Sequence, residues 1–228
     1  MNIKTIYLIS GGQASDFRQM IRDFHKVLQT CGKSKPKVAY VGTANLENMN
    51  FFQRMKQPIK EAGAGDVVLV PVVHNADIPA AKNILSEADA VFLAGGEVED
   101  GMVWLRKSGL DVLLAELYNS GKLFFGVSAG AIMMGQYWVH WDTEGDDNTS
   151  RLFPCLNFVP MTFDTHCENE NWKELKCALR LMGPGSRGYG LSSGGFYSAD
   201  SEGNLKNFRI EPAVFCNTGG IITQVNGQ

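Results

Sequence analysis

The sequence has no long apolar run, no C-x-x-C pair and no excess of basic residues. Its longest apolar stretches, such as VVLVPVV at 67–73, are far too short to span a bilayer. A formal net charge of −3 offers no basic field for nucleic acid or for an anionic membrane. The apolar start of the chain has no cleavage pattern of a signal peptide, so it is interpreted as a first strand.

Cysteine is scarce and scattered, with five residues in 228. Their odd number and wide spacing argue against a disulfide framework. His166 and Cys167 together with Cys177 fit no common zinc spacing, so no metal is expected. Reduced thiols in a cytoplasmic protein are the preferred interpretation.

Short apolar runs alternate with amphipathic segments along the first half of the chain. A helix is expected from Phe17 to Leu28 with Ser15 or Asp16 as N-cap, and another near 51–62 that Pro58 should bend or end. Further helix is expected over 102–119, with a break near Gly109. The segments predicted as strands are 5–10, 37–44, 66–73, 89–96 and 122–127.

Continuous apolar strands between helices indicate a parallel sheet covered on both faces. The 228 residues are therefore expected to form a single α/β domain, a three-layer αβα sandwich with a mostly parallel sheet. In such sheets ligands bind beyond the carboxyl ends of the strands. LAGGE at 93–97 and GVSAG at 126–130 both lie at such ends, so they are expected to face one crevice. The acidic segment 140–150 is interpreted as an exposed loop.

The GVSAG segment has the G-x-S-x-G pattern of a nucleophile elbow. Small flanking residues allow a sharp strand-to-helix turn from which the Ser128 hydroxyl projects, and the amide of Ala129 is placed to stabilise an oxyanion. The alternative is that Gly126 and Gly130 only permit close packing of strand and helix. Of the four histidines, composition favours His166 as the base for Ser128, with His140 as the alternative.

Four segments together carry a family resemblance: FLAGGEVEDGMVWLR, GVSAGAIMMG, FDTHCE and GYGLSSGGFYSADSEGNL. In order and spacing they resemble the peptidase E family, which includes aspartyl dipeptidases and cyanophycinases, along most of the chain to about Leu205. The resemblance implies a class I glutamine amidotransferase-like (flavodoxin-like) fold. It also implies a serine peptidase that acts on small peptides without a cofactor, and a homodimer.

The resemblance assigns roles to individual residues of this chain. Ser128 would attack the carbonyl, and His166 would take the hydroxyl proton and return it to the leaving amine. The oxyanion hole would consist of the amides of Gly96 and Ala129. Family members commonly place an acidic residue late in the chain, whereas this chain reads GLSSG at 190–194, so Ser193 takes that position.

Ser193 can accept a hydrogen bond from an imidazole N–H, but it cannot supply the negative charge that favours the imidazolium. Asp164 and Asp142 are candidate substitutes for the missing acid. Because Ser193 replaces the acidic residue of the family, two alternative hypotheses for function stay open. One is a catalytically weak or inactive ligand-binding homologue, and the other is an esterase or amidase on the same scaffold.

Two further positions bear on substrate choice. Glu97 stands where the family often has Asn after Gly-Gly. It is interpreted either as a helix N-terminal carboxylate favoured by the helix dipole or as a carboxylate at the pocket mouth that would disfavour acidic substrates. Arg180, downstream of His166, is expected on the surface of a helix rather than in contact with substrate. The specificity of the family for aspartate is therefore not carried over to this chain.

Overall fold

A computed structural model describes residues 4–12, 16–143 and 145–225. The described residues form thirteen strands, which are β1 (Thr5–Ile9), β2 (Lys37–Val41), β3 (Asp66–Leu69), β4 (Ala90–Leu93), β5 (Leu123–Val127), β6 (Tyr137–Trp141), β7 (Ser150–Pro154), β8 (Thr162–Thr165), β9 (Arg187–Leu191), β10 (Phe196–Asp200), β11 (Leu205–Asn207), β12 (Ala213–Thr218) and β13 (Ile221–Val225). The α-helices are α1 (Phe17–Gln29), α2 (Met49–Glu61), α3 (Ile78–Glu87), α4 (Val98–Ser108), α5 (Leu110–Asn119), α6 (Ala129–Ile132) and α7 (Lys173–Met182). None of the described helices is long and apolar enough to cross a membrane.

A seven-stranded sheet lies at the centre, in the order β11-β10-β1-β5-β4-β2-β3. The strands β1 to β5 are parallel, whereas β10 and β11 extend the sheet antiparallel at one edge. This arrangement confirms the predicted mostly parallel sheet.

Helices cover both faces of this sheet and complete three layers. On one face, Phe24 of α1 and Ile59 of α2 pack with Phe125 of the sheet. On the other face, Leu85 of α3 and Leu105 of α4 belong to the same buried cluster as Phe124. Because successive side chains of a strand point to opposite faces, the adjacent Phe124 and Phe125 serve two separate cores.

Helix boundaries follow local chemistry in most places. Asp16 caps α1 by accepting a hydrogen bond from the Arg18 amide at 2.9 Å, and Ser15 lies outside the described residues. Gly109, with φ of 68°, separates α4 from α5 and confirms the predicted break. Pro58 does not end α2, which is one of the two outcomes expected there, since the helix continues to Glu61. Burial of Met55 and Ile59 on either side of Pro58 stabilises the helix despite the missing N–H.

Two other sequence expectations differ from the structure. Strand β3 ends at Leu69 because Pro71 has no amide hydrogen to continue the ladder. Helix α3 was not identified from the sequence, although Asp77 is a regular N-cap that accepts a hydrogen bond from Ala80 at 2.9 Å.

The second half of the chain adds a four-stranded sheet in the order β13-β12-β9-β8 and a hairpin of β6 and β7. The segment 140–150 is therefore not all loop, because His140 and Trp141 belong to strand β6. The buried Val139 packs with Ala178 of α7 and anchors this hairpin. Strand β8 pairs parallel with β9 and ends directly before His166.

Candidate active site

The turn between β5 and α6 presents Ser128 in a strained conformation. Its φ of 53° and ψ of −125° lie outside the regions that non-glycine residues usually adopt. A Cβ added at Gly126 would lie 2.5 Å from the Gly130 carbonyl oxygen, so the two flanking glycines allow strand and helix to approach closely. The glycines thus permit close packing of strand and helix, and the same packing accompanies the sharp turn at Ser128.

His166 follows β8 directly and also has a positive φ, 46°. Its Nε2 lies 2.7 Å from the Oγ of Ser128. This distance is within hydrogen-bond reach of a nucleophile and its base. With Nε2 accepting from the hydroxyl, Nδ1 carries the remaining ring proton, and the pair can transfer the hydroxyl proton to the imidazole.

Gly96 and Ala129 both lie beside Ser128. Both residues line one cavity together with Ser128 and His166. Neither amide is used in a turn or loop hydrogen bond among the described residues. Gly96 has φ of 144°, and a Cβ there would overlap the Ala44 carbonyl, so this position requires glycine. Two unused amides beside a hydroxyl are the components of an oxyanion hole.

Ser193 and His166 lie close together, and both contact the same side of Gly12. A Cβ added at Gly12 would lie 2.6 Å from the Oγ of Ser193 and 2.9 Å from the Cβ of His166. The loop that carries Ser193 is joined to the end of β1, since the Gly194 amide donates to the Gly11 carbonyl at 2.9 Å. The structure thus brings together Ser128, His166 and Ser193.

Glu168 is an additional acidic residue at this place, and sequence reasoning did not assign it a role. Its carboxylate accepts a hydrogen bond from the Ser193 amide at 3.1 Å. Partial desolvation raises the pKa of Glu168, but hydrogen bonds from the Ser193 hydroxyl and amide and the nearby His166 outweigh it and bring the pKa below its usual value. A short 3₁₀ turn over Glu168–Glu170 turns this carboxylate back toward the site.

The candidate substitutes for the missing acid lie elsewhere. Asp164 is buried, and its Oδ1 accepts a hydrogen bond from the Thr165 amide at 2.7 Å. Within the described residues it forms no hydrogen bond with His166. Asp142 pairs with Arg151 and with His140, whose other ring nitrogen contacts Glu99 at 2.6 Å. His140 is therefore engaged in a separate network.

The side chain of Arg180 is also engaged away from Ser128. It forms an ion pair with Asp147 at the surface, in agreement with the expected surface position.

Asp164, Cys167 and Glu174 form an acidic cluster below His166. One potential ligand atom from each residue lies within 4.8 Å of the other two, so the three side chains could together bind a cation. Burial raises the pKa of Asp164 to about 7, and the negative charge of Glu174 contributes to the rise. Burial and the same two carboxyl groups raise the pKa of the Cys167 thiol as well. Cys177 is not part of this cluster and is buried with Val139 and Ala178.

A second, larger cavity of about 350 Å³ opens on the other side of Ser128. Its walls are mainly apolar, with Phe17, Met20 and Phe51 among them, and Arg54 supplies a positive charge. Gly95, Gly96 and Ser128 border this cavity, which confirms that LAGGE and GVSAG face one crevice. The hydroxyl thus stands between an apolar cavity and an acidic one.

Comparisons with known proteins identify relatives of this chain. The model of peptidase family S51 matches residues 6–195. An uncharacterized peptidase of Bacillus subtilis (strain 168), YgaJ, is 25% identical over 174 residues, which cover 74% of this chain and 70% of YgaJ. Crystal structures of two further proteins are similar in fold. A peptidase from an acI-B1 actinobacterium has a TM-score of 0.73 at 18% identity over 98% of this chain and 94% of its own. A putative peptidase E of Listeria monocytogenes EGD-e has a TM-score of 0.66 at 17% identity over 92% of this chain and 100% of its own.

Proposed function

Since this chain belongs to peptidase family S51, we propose that it is a serine peptidase that cleaves small peptides with Ser128 as nucleophile and His166 as base. The contact that carries the proposal is the 2.7 Å approach of the Ser128 hydroxyl to the His166 Nε2. Backbone strain at a non-glycine residue must be offset by the rest of the fold, and it is found most often at functional sites. The strained turn at Ser128 therefore supports a catalytic role for its hydroxyl.

The reaction would proceed through an acyl-enzyme. The Oγ of Ser128 forms a bond to the carbonyl carbon of the substrate while its proton moves to Nε2 of His166. The negative charge on the carbonyl oxygen is stabilised by the amides of Gly96 and Ala129. His166 then gives the proton to the leaving amine as the C–N bond breaks. A water molecule then loses a proton to His166 and attacks the acyl carbon. The ester bond breaks, and His166 returns the proton to the Oγ of Ser128.

Ser193 takes the place of the acidic third member, and Glu168 supplies the charge behind it. Ser193 lies beside His166, and Glu168 accepts its amide N–H and attracts its hydroxyl. A carboxylate near the ring favours the imidazolium that forms when Ser128 loses its proton. We therefore assign Glu168 as a positioning residue that acts on His166 through Ser193 and through its charge.

A fluorophosphonate probe tests the nucleophile directly. The native protein should be labelled at Ser128, the Ser128→Ala variant should not be labelled, and a Ser192→Ala control should be labelled as the native protein is. Hydrolysis of a dipeptide library should be lost in the same variant. Folded native protein that resists the probe would favour a non-catalytic ligand-binding homologue. Turnover of activated esters without any peptide hydrolysis would favour an esterase.

A further inference from the structure

The cavity of about 180 Å³ that borders Ser128, His166 and the two oxyanion amides has an acidic lining, and we name it the acidic pocket. Glu97, Asp164 and Glu174 line it, and the wall also contains Trp138 and Cys167. Apart from His166, no basic side chain of the described residues contributes to this wall. The side chains of Glu97 and Glu174, with the carboxyl group of Asp164 beside them, give this small cavity a negative potential.

Asp164 gives the acidic pocket a polar group without a partner. The residue is only 1% exposed, and its Oδ2 has no hydrogen-bond partner within the described part of the chain. Buried carboxylate oxygens are normally paired, so an orphaned oxygen in a cavity wall indicates a missing partner. An oxygen of Asp164 and one of Glu174 lie within 4.8 Å of each other, and a cation bound there would relieve their repulsion.

Trp138 holds the Glu174 carboxylate in place. Its indole N–H donates to Oε2 of Glu174 at 2.8 Å, and its ring forms part of the wall. An aromatic wall next to fixed carboxylates suits a cationic group on an alkyl chain, since the ring can contact both the methylenes and the charge.

The size of the acidic pocket limits what it can accept. An apolar cavity of about 150 Å³ holds benzene, which has six heavy atoms. At about 180 Å³ the acidic pocket has room for a group of similar size, such as the five side-chain atoms of lysine. Its position beside the amides of Gly96 and Ala129 places it next to the residue that contributes the scissile carbonyl.

We propose that the acidic pocket binds an alkylammonium or guanidinium group of the substrate, on the residue whose carbonyl Ser128 attacks. This inference rests on the proposed function for the choice of substrate, but the cation site itself does not depend on catalysis. The cation is either a basic side chain or a free α-amino group, and the assay separates these two sources. Acidic residues at the same position are rejected.

The assay compares coumarin amides of Nα-acetyl-lysine, Nα-acetyl-norleucine, free norleucine and Nα-acetyl-aspartate. Preference for acetyl-lysine over acetyl-norleucine by about tenfold or more in kcat/KM identifies a basic side chain, in line with a charged hydrogen bond. Preference for free over acetylated norleucine identifies the α-amino group. The aspartate substrate should be the poorest of the four.

The Glu174→Gln variant keeps the shape of the side chain and should reduce the preference about tenfold. Glu116→Gln, an equal loss of charge on the exposed side of α5, should leave it unchanged. Equal rates for all four amides, a preference for aspartate, or a preference that persists in Glu174→Gln overturns the proposal. A preference that disappears with a chelator and returns with Zn²⁺ also overturns it, because the cluster of Asp164, Cys167 and Glu174 would then be a metal site.

Binding to the Ser128→Ala variant provides a measurement that needs no turnover. Nα-acetyl-lysinamide or norleucinamide should bind in isothermal titration at least tenfold more tightly than Nα-acetyl-norleucinamide, and Glu174→Gln should abolish the difference. If Ser128 is not labelled by fluorophosphonate but this difference is present, the proposed function fails and the cation site stands. If substrates are cleaved but neither cation binds better, the cation site fails and the peptidase stands.

Discussion

The carboxylate of Glu168 accepts a hydrogen bond from the Ser193 amide at 3.1 Å, and the nearby His166 helps to lower the pKa of this carboxyl group. The acidic residue near the imidazole is thus Glu168, which lies only two positions after His166 in the chain. Ser193 occupies the position where the family resemblance leads one to expect the acid itself. The negative charge near His166 therefore comes from Glu168, which is hydrogen-bonded to Ser193.

Replacing Glu168 by Gln should lower kcat about tenfold and leave KM nearly unchanged, because the charge favours the imidazolium in the transition state and does not contact substrate. Glu168→Asp should recover part of the loss. Steady-state kinetics on the best peptide substrate measures both parameters, and Glu170→Gln on the same turn is the matched control. Equal loss in the control, or a change in KM alone, would contradict the assigned role.

A double-mutant cycle tests whether Ser193 and Glu168 share one role. Ser193→Glu alone should not raise kcat, since two carboxylates side by side repel and one of them takes up a proton. Combined with Glu168→Gln, the same substitution should raise kcat above that of the Glu168→Gln single variant. Additive effects of the two substitutions would show that the residues act independently.

Gly96→Ala should abolish labelling of Ser128 and destabilise the protein by about 2–4 kcal/mol. The added methyl overlaps the Ala44 carbonyl, and the backbone has φ of 144°. The control is Gly32→Ala, where φ is 67° and no atom lies within 4 Å of the added Cβ, so only the conformational cost of about 1 kcal/mol applies. Urea unfolding of both variants measures the difference. Similar losses in both would show that the overlap at Gly96 is relieved by small shifts.

Arg209→Met should destabilise the protein by about 3 kcal/mol or more. The Arg209 guanidinium forms two hydrogen bonds, at 2.7 and 2.8 Å, with Asp23, which is only 1% exposed, and it also donates to the Gly194 carbonyl beside Ser193. Removing it leaves a buried carboxylate without its cation. Arg151→Met, which breaks an exposed ion pair with Asp142, should have an effect below about 1 kcal/mol. Thermal and urea unfolding compare the two, and equal effects would contradict the explanation from burial.

Asp164 should make the stability of the folded state depend on pH. Its pKa is raised from 3.8 to about 7 by burial and by Glu174, so between these values the native state holds a proton that the unfolded chain has lost. The free energy of unfolding should therefore fall by a few kcal/mol as pH rises from about 4 to 7, and level off above. Asp164→Asn should remove this part of the slope. Urea unfolding at several pH values measures it, and an unchanged slope in the variant would refute the assignment to Asp164.

Local sequence signals predicted most elements of the first half of the chain. Apolar runs of strand length placed β1, β2, β4 and β5, and Asp16 and Gly109 marked helix limits as their chemistry requires. The G-x-S-x-G pattern predicted the turn at Ser128, because only small neighbours allow it. Helix α2 continues past Pro58, and His140 and Trp141 join strand β6, because burial and cross-strand pairing outweigh local preference at these places.

The sequence by itself determined the three-layer architecture and the position of Ser128 at the turn after β5, since both depend on periodicity and on the sterics of a few neighbouring residues. Tertiary structure alone decided the partners of His166 and the walls of the two cavities. Glu168, Glu174 and Trp138 have no local pattern that marks them, and they meet only because β8, β9 and α7 place distant parts of the chain around one hydroxyl. Electrostatic and hydrogen-bonded contacts depend on distance in space, which the order of residues does not record.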